Sequence, residues 1–500
     1  MLAKQTIKAQ PNEGLLDDLK NKGLLLDRAY INGEWVGARG QDIIEVKNPA
    51  DGSVLGTVPS LDEGDVKKAI DSAEDAFSIW SNTPPRERAS KLRLWADLML
   101  AEREDLALIM TLEQGKPLAE SLGEIDYAAS FFDWFAGEAE RTTPVGVTPH
   151  LTNTDMQVYR EPVGVAALIT PWNFPSAMIT RKAAAALAVG CTVVVKPASE
   201  TPFSALALSV LAEKAGIPAG VFNVITGSAP KLAKVLCDDT RVRALSFTGS
   251  TGVGRTLLEW SAPTVKRMSM ELGGHAPFIV CADVDLEKAV NDAIDAKFQT
   301  TGQDCLAANR IYVHKSIYDE FVSRFSDATK KLKVGDGLTP GVQIGPLMNE
   351  GAVKKCKEQI DDAIAKGAKL LVGGNIHKMG GLFFAPTVLT DVSPEMMISY
   401  DETFGPVAAI SSFEDEEEVI RLANNTEYGL AAYVQTTNSA TARRISGKLE
   451  FGMVAVNCVK MTGGPIPFGG MKQSGIGREG GSFGMDSFSD IKYVCTSTKI

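Results

Sequence analysis

From Val163 onward, short runs of Val, Ala, Ile and Phe alternate with longer stretches of helical period. Val163–Thr170 predicts a strand and Ser176–Val189 a helix. Thr192–Lys196 predicts a second strand, and Ala205–Ala215 a helix stopped by Gly216 and Pro218. Val221–Ile225 and Arg243–Phe247 predict further strands, each followed by a helical stretch. Strand runs of four to eight residues separated by helix-length segments indicate βαβ units and a parallel sheet. Such a sheet takes its ligands at the C-terminal ends of its strands. A second alternating region starts near Pro277. Here strands are expected at Phe278–Cys281, Asn309–His314, Pro406–Phe413 and Gly452–Asn457, with helices at Leu286–Gln299 and Lys315–Lys331. The turn-rich stretch Gly335–Asn349 is expected to be a surface excursion. The longest apolar run, Ala183–Val195, contains Gly190 and Thr192 and is too short to span a bilayer. It predicts a buried helix passing into a strand. No internal repeat or low-complexity tract is present.

The bulk numbers narrow the possibilities. A chain of 500 residues exceeds one ordinary hydrophobic core, so two or three domains are expected. With 44% hydrophobic and 23% charged residues it belongs with soluble globular proteins. The net charge of −11, with no long basic cluster, disfavours nucleic acid and anionic membranes as partners. No apolar core follows Met1, and Glu13, Asp17 and Asp18 argue against a secretory or mitochondrial leader. Seven cysteines, an odd number without paired spacing, fit free thiols in a reducing compartment. The four histidines show no metal-ligand spacing. The expectation is a cytoplasmic protein without a metal.

Several residues carry candidate chemistry. Cys305, in Thr301-Gly302-Gln303-Asp304-Cys305, offers a nucleophile for a two-step acyl transfer, because a thiolate attacks a carbonyl carbon well even at modest population. Glu271, opening Glu271-Leu272-Gly273-Gly274, offers a general base for hydrolysing the resulting thioester. Asn173 can offer its side-chain amide, and Cys305 its backbone N–H, to an oxyanion. Each residue alone also has a plainer account: an inert buried cysteine, a solvated carboxylate at a strand end, a helix N-cap. Gly249-Ser250-Thr251-Gly252-Val253-Gly254 lies at a predicted strand-to-helix turn, where backbone N–H groups receive a pyrophosphate. Its G-x-x-G-x-G spacing departs from the Rossmann G-x-G-x-x-G. Trp172-Asn173, Lys196 and Gly249-Ser250 each follow one of the predicted strands.

Taken in order with Pro171-Trp172-Asn173-Phe174-Pro175, Lys196-Pro197-Ala198-Ser199, Phe247 to Gly252 and Glu402-Thr403-Phe404-Gly405-Pro406, these motifs resemble the aldehyde dehydrogenase superfamily over most of the chain. Residues 197–208 and 467–475 are most similar to its succinate-semialdehyde branch. The resemblance implies an α/β fold. A Rossmann-type dinucleotide-binding domain (1–142 and 162–273) joins an α/β catalytic domain (274–478). A small β oligomerisation element (143–161 and 479–500) makes a homodimer or homotetramer, and Met156–Arg160 and Lys492–Ser497 have strand-like composition there. The implied cofactor is NADP or NAD. Lys196 meets the adenosine ribose and Glu402 the nicotinamide ribose, and Thr170, Trp172, Gly249, Ser250, Leu272 and Phe404 complete the surface. Ser199 replaces the glutamate that repels a 2′-phosphate in strict NAD enzymes, so NADP is expected to be accepted, with Glu200 next door able to restore discrimination.

For the substrate, the branch implies arginines around a distal carboxylate. Arg181 matches one of them. The second falls at Gln299, six residues before Cys305, and Thr462 or Gly463 stands where the branch has a serine. Lys460 is a candidate replacement charge. Ala307 occupies the place of a second cysteine found in some members, so no local disulfide switch is expected. The implied activity is oxidation of succinate semialdehyde, or a related ω-carboxy aldehyde, to the dicarboxylic acid. The rivals are a glutarate-semialdehyde or general aldehyde dehydrogenase, a CoA-acylating relative (disfavoured by Glu271), and a non-catalytic protein on the same scaffold.

Overall fold

The computed structural model describes residues 13–38 and 42–499. The expectation of no leader rests in part on residues 1–12, which lie outside the described residues. An eight-stranded sheet runs in the order Gly475–Ile476, Arg267–Glu271, Val242–Thr248, Val165–Ile169, Thr192–Lys196, Phe222–Val224, Ala29–Ile31, Glu34–Val36. Its middle strands, from Arg267–Glu271 to Phe222–Val224, are parallel. The edge strands pair antiparallel. Both faces are covered, so the strands are apolar in an unbroken run. Ala166, Leu168, Val193 and Val195 face a helical core built on Trp80, Trp95 and Phe132. Val165, Ala167, Ile169 and Val194 face a second core with Leu236 and Leu245. The chain's order reverses between Val165–Ile169 and its neighbour Val242–Thr248, and a parallel sheet opens a crevice at that point.

A seven-stranded sheet follows, ordered Lys369–Val372, Thr387–Thr390, Val407–Phe413, Ala308–His314, Ala276–Val280, Ala431–Gln435, Met453–Val456. All its pairs are parallel except the first. The strands expected in both regions are present, most to within one or two residues. The expected helix at Lys315–Lys331 is a 3-10 turn, Lys315–Ile317, followed by an α-helix, Tyr318–Thr329. A third sheet pairs Ser489–Ser497 with Thr154–Pro162, and that strand with Val145–Gly146, so both strand-like segments of the expected β element form strands.

The stretch Gly335–Asn349 is the expected surface excursion only in part: Thr339, Pro340, Gly341 and Gln343 are exposed, but the segment after them is not. Ile344–Met348 is buried. Its backbone polar groups are met by other loops: Thr301 Oγ1 accepts from Gly345 N at 3.0 Å, and Gln303 Oε1 accepts from Met348 N at 2.9 Å. Turn-rich composition marks irregular backbone, and irregular backbone can be buried once its hydrogen bonds are supplied.

Candidate active site

Thr170, Trp172, Lys196, Gly249 and Glu271 all sit at or just beyond the C-terminal ends of strands in the first sheet. Cys305, Gly274 and Phe404 instead precede strands of the second sheet, at their N-terminal ends. The cleft is therefore built between unlike edges of two sheets.

The loop carrying Cys305 is strained. Thr300 and Thr301 lie at φ +51° and +60°, left-handed values that β-branched residues rarely adopt, and Gly302 follows at +70°. Each such threonine costs about 1–3 kcal/mol. The surroundings hold them there. Thr300 N donates to Glu120 Oε2 at 3.0 Å, and Thr301 bonds Gly345. A Cβ at Gly302 would collide with the Gly405 carbonyl, and one at Gly274 with the carbonyl of Cys305. Cys305 is half-buried. Burial, with Asp304 beside it, holds its thiol well above the usual range, and Glu402 and Glu271 act the same way against Arg181.

Asn173 does not cap the helix Ala177–Val189; Ser176 occupies that position. Its side-chain amide instead donates to the Gln303 carbonyl at 3.1 Å. A carboxamide nitrogen carries two N–H groups, so one remains for a ligand beside Cys305.

Glu271 ends the strand Arg267–Glu271 and is buried, not solvated. Neither carboxylate oxygen has a hydrogen-bond partner among the described residues. Burial pushes its carboxyl well above the usual range, and nearby Glu479 adds to this, against Arg181, Lys182 and Arg478. Glu479 was not foreseen. It pairs with both Arg181 and Lys182, and Ser246 Oγ lies 3.2 Å from it. Arg181-Lys182 in an otherwise apolar helix announces a buried acid without saying which one.

The Arg181 guanidinium lies 3.8 Å from the Phe468 ring centroid. Its Nη1 is buried with no partner among the described residues. The Tyr127 hydroxyl, also unforeseen, lies beside Arg181 and Thr462. Gln299 is exposed at the start of the Cys305 loop, and Lys460 is exposed before Thr462.

The strand ends of the first sheet offer groups that could hold a dinucleotide. Ser250 Oγ caps the helix Thr251–Ser261, accepting from Val253 N at 3.4 Å. Thr170 and Thr248 keep buried hydroxyls with no partner among the described residues, at the ends of adjacent strands. Burial lowers the Lys196 ammonium to about 8, with Glu200 opposing. Ser199 is half-buried and Glu200 exposed. Glu402 Oε1 accepts from Gly274 N at 3.0 Å, and burial raises its carboxyl to about 7. Phe404, at φ +54°, meets Trp172 edge to face at 5.6 Å and so joins the two units. Leu272 N donates to Ser474 O at 2.9 Å.

A parallel sheet that offers a glycine turn and a buried glutamate to a thiol on a second sheet is an arrangement suited to dinucleotide-dependent oxidation through a cysteine adduct. Comparison with known proteins places it more closely: the chain belongs to the aldehyde dehydrogenase family, which it matches over residues 35–494. It is 54% identical to the non-phosphorylating aspartate-semialdehyde dehydrogenase of Halomonas elongata, covering 96% of this chain and 98% of that one. It is 50% identical to the NADP(+) succinate-semialdehyde dehydrogenase of Escherichia coli, over 95% and 99%. Among solved structures, succinate-semialdehyde dehydrogenase from Burkholderia pseudomallei superposes with a TM-score of 0.94 at 50% identity, over 95% and 98%. The protein is an NAD(P)-dependent aldehyde dehydrogenase.

Proposed function

We propose that the protein oxidises a short ω-carboxy aldehyde, succinate semialdehyde first, through a thioester on Cys305. The observation that carries the substrate class is Arg181 Nη1, a buried donor without a partner on a guanidinium already seated over Phe468. A buried unpaired donor is costly until a ligand meets it. The substrate carboxylate would take that donor, with the hydroxyls of Tyr127 and Thr462 beside it. Cys305 sheds its proton to solvent and attacks the aldehyde carbon. The free N–H of Asn173 and the backbone N–H of Cys305 then hold the oxyanion. Bound NAD(P)+ supplies the hydride acceptor; Lys196, Ser199, Ser250 and Glu402 would hold it. Glu271 takes a proton from the water that cleaves the thioester, releasing the acid and the thiol.

The test is kcat/KM for succinic semialdehyde against butyraldehyde, equal in carbon count but uncharged. A preference above ~100-fold, about 2.7 kcal/mol of transition-state discrimination, is expected. Near-equal values would make the protein a general aldehyde dehydrogenase. Aspartate semialdehyde is the second reading, because a neutral Gln299 leaves Arg181 as the one arginine of the expected pair to oppose an ammonium on the substrate. We also infer a homodimer or homotetramer. Ile491, Tyr493 and Val145 are exposed on the third sheet, an apolar face suited to a second copy. Light scattering that returned a monomer would exclude this. Among the described residues no helix is long and apolar enough to cross a membrane. The cysteines there are free, as in a cytoplasmic protein.

A further inference from the structure

We propose that Lys116 is a positioning residue for the oxyanion donor Asn173; the role rests on the acyl-transfer reading above. Lys116 stands in the tight turn between the helices Arg103–Gln114 and Leu118–Arg141, after Gly115 at φ +90° and before Pro117. Its side chain is buried. The ammonium lies 2.6 Å from Glu124 Oε2, 2.6 Å from the Asn173 carbonyl oxygen and 4.1 Å from the Phe174 ring centroid. Glu124 Oε1 accepts from Ser176 N at 3.0 Å and Ala177 N at 3.1 Å. One ion pair therefore holds the stretch 173–177 at a carbonyl, a ring and two N–H groups.

A buried ion pair is weak evidence for stability, since apolar residues of equal volume serve as well or better. What distinguishes this one is its target. Asn173 is fixed from the other side too, its amide donating to the carbonyl of Gln303, two residues before Cys305. Gln303 is anchored in turn by Pro346 O at 3.3 Å and Met348 N at 2.9 Å. The turn at Lys116 meets that same buried loop, because a Cβ at Gly345 would collide with the Gly115 carbonyl. The distance between the amide and the thiol is thus set by two clamps, and Lys116 closes one of them. Glu120 and Asp304 also lie within its field. A displacement of about 1 Å in such a group costs about 100-fold in rate.

The experiment is a double-mutant cycle on the full-length enzyme, read as the pre-steady-state rate of nicotinamide reduction. Lys116→Met is combined with Glu124→Gln, so that no lone charge stays buried and an acceptor for Ser176 N and Ala177 N remains. The pair of changes should slow reduction by about 100-fold with Asn173 present, and by less than about threefold in an Asn173→Ala background. The cofactor KM should stay within about threefold. Equal losses in both backgrounds, or no loss in the first, would overturn the role of Lys116. Asn173→Ala without effect on its own would instead remove the oxyanion assignment. If the double variant does not fold, Lys116→Arg, which keeps the charge but not the geometry, carries the same cycle.

Discussion

Glu271 and Glu479 are both buried and both lie in the field of Arg181 and Lys182, yet they titrate in opposite directions. Burial alone would raise Glu479, but the two cations it pairs with outweigh that and hold it below the usual range. Glu271 touches neither closely enough to bond, keeps both oxygens free, and is pushed up. The two glutamates are thus held in opposite states: Glu479 neutralises the cations it pairs with, and Glu271 is left with both oxygens unbonded among the described residues, as the proposed base role requires. Opposed titration of neighbouring acids is how a protein assigns base and counter-ion within one pocket.

Removing each carboxylate in turn separates the two roles. Glu271→Gln should give the larger effect on rate: steady-state turnover falls by about 10²- to 10⁴-fold, while a burst of reduced nicotinamide close to one per site survives. Unchanged turnover would take Glu271 out of the base role. Glu479→Gln leaves two buried cations short of a partner and should lower stability by about 3–5 kcal/mol, measured by chemical denaturation. It should also shift the acid limb of the kcat profile for butyraldehyde. In the proposed mechanism the ionised form of Glu271 carries hydrolysis, so the rate falls as pH drops through its raised pKa. Without the negative charge of Glu479 that pKa falls, and the limb moves to lower pH. A limb that does not move would mean that the two acids are electrostatically separate.

Much of this arrangement was legible in the sequence. Thr192–Lys196 forms over the expected residues, and the helix expected from Ser176 spans Ala177–Val189, because a sheet covered on both faces demands unbroken apolar strands. The motif residues on the first sheet follow from the same rule. Cys305 does not: it precedes its strand, and only its local motif pointed to it. Tyr127 and Glu479 were hidden because their partners lie far along the chain, Glu479 from Lys182 by 297 residues. Lys116 and Glu124 pair across only 8 residues, but the Asn173 carbonyl that Lys116 holds lies 57 residues beyond it. An adjacent Arg-Lys pair in an apolar helix states that a counter-ion exists, but the fold alone decides which acid arrives. The buried end of Gly335–Asn349, Ile344–Met348, was misplaced for a related reason, since the side chains that satisfy it, Thr301 and Gln303, belong to another loop.

After the second sheet the chain returns to the first through the edge strand Gly475–Ile476, and Glu479 follows shortly after it. A chain growing from its N-terminus therefore makes the acid that balances Arg181 and Lys182 only after every strand of both large sheets. Until that residue emerges, the unit built on the first sheet contains two cations it cannot bury at low cost. Completion of that first-made sheet waits on residues made after the second one, so a fragment released before Glu479 would lack the clasp that finishes the cleft.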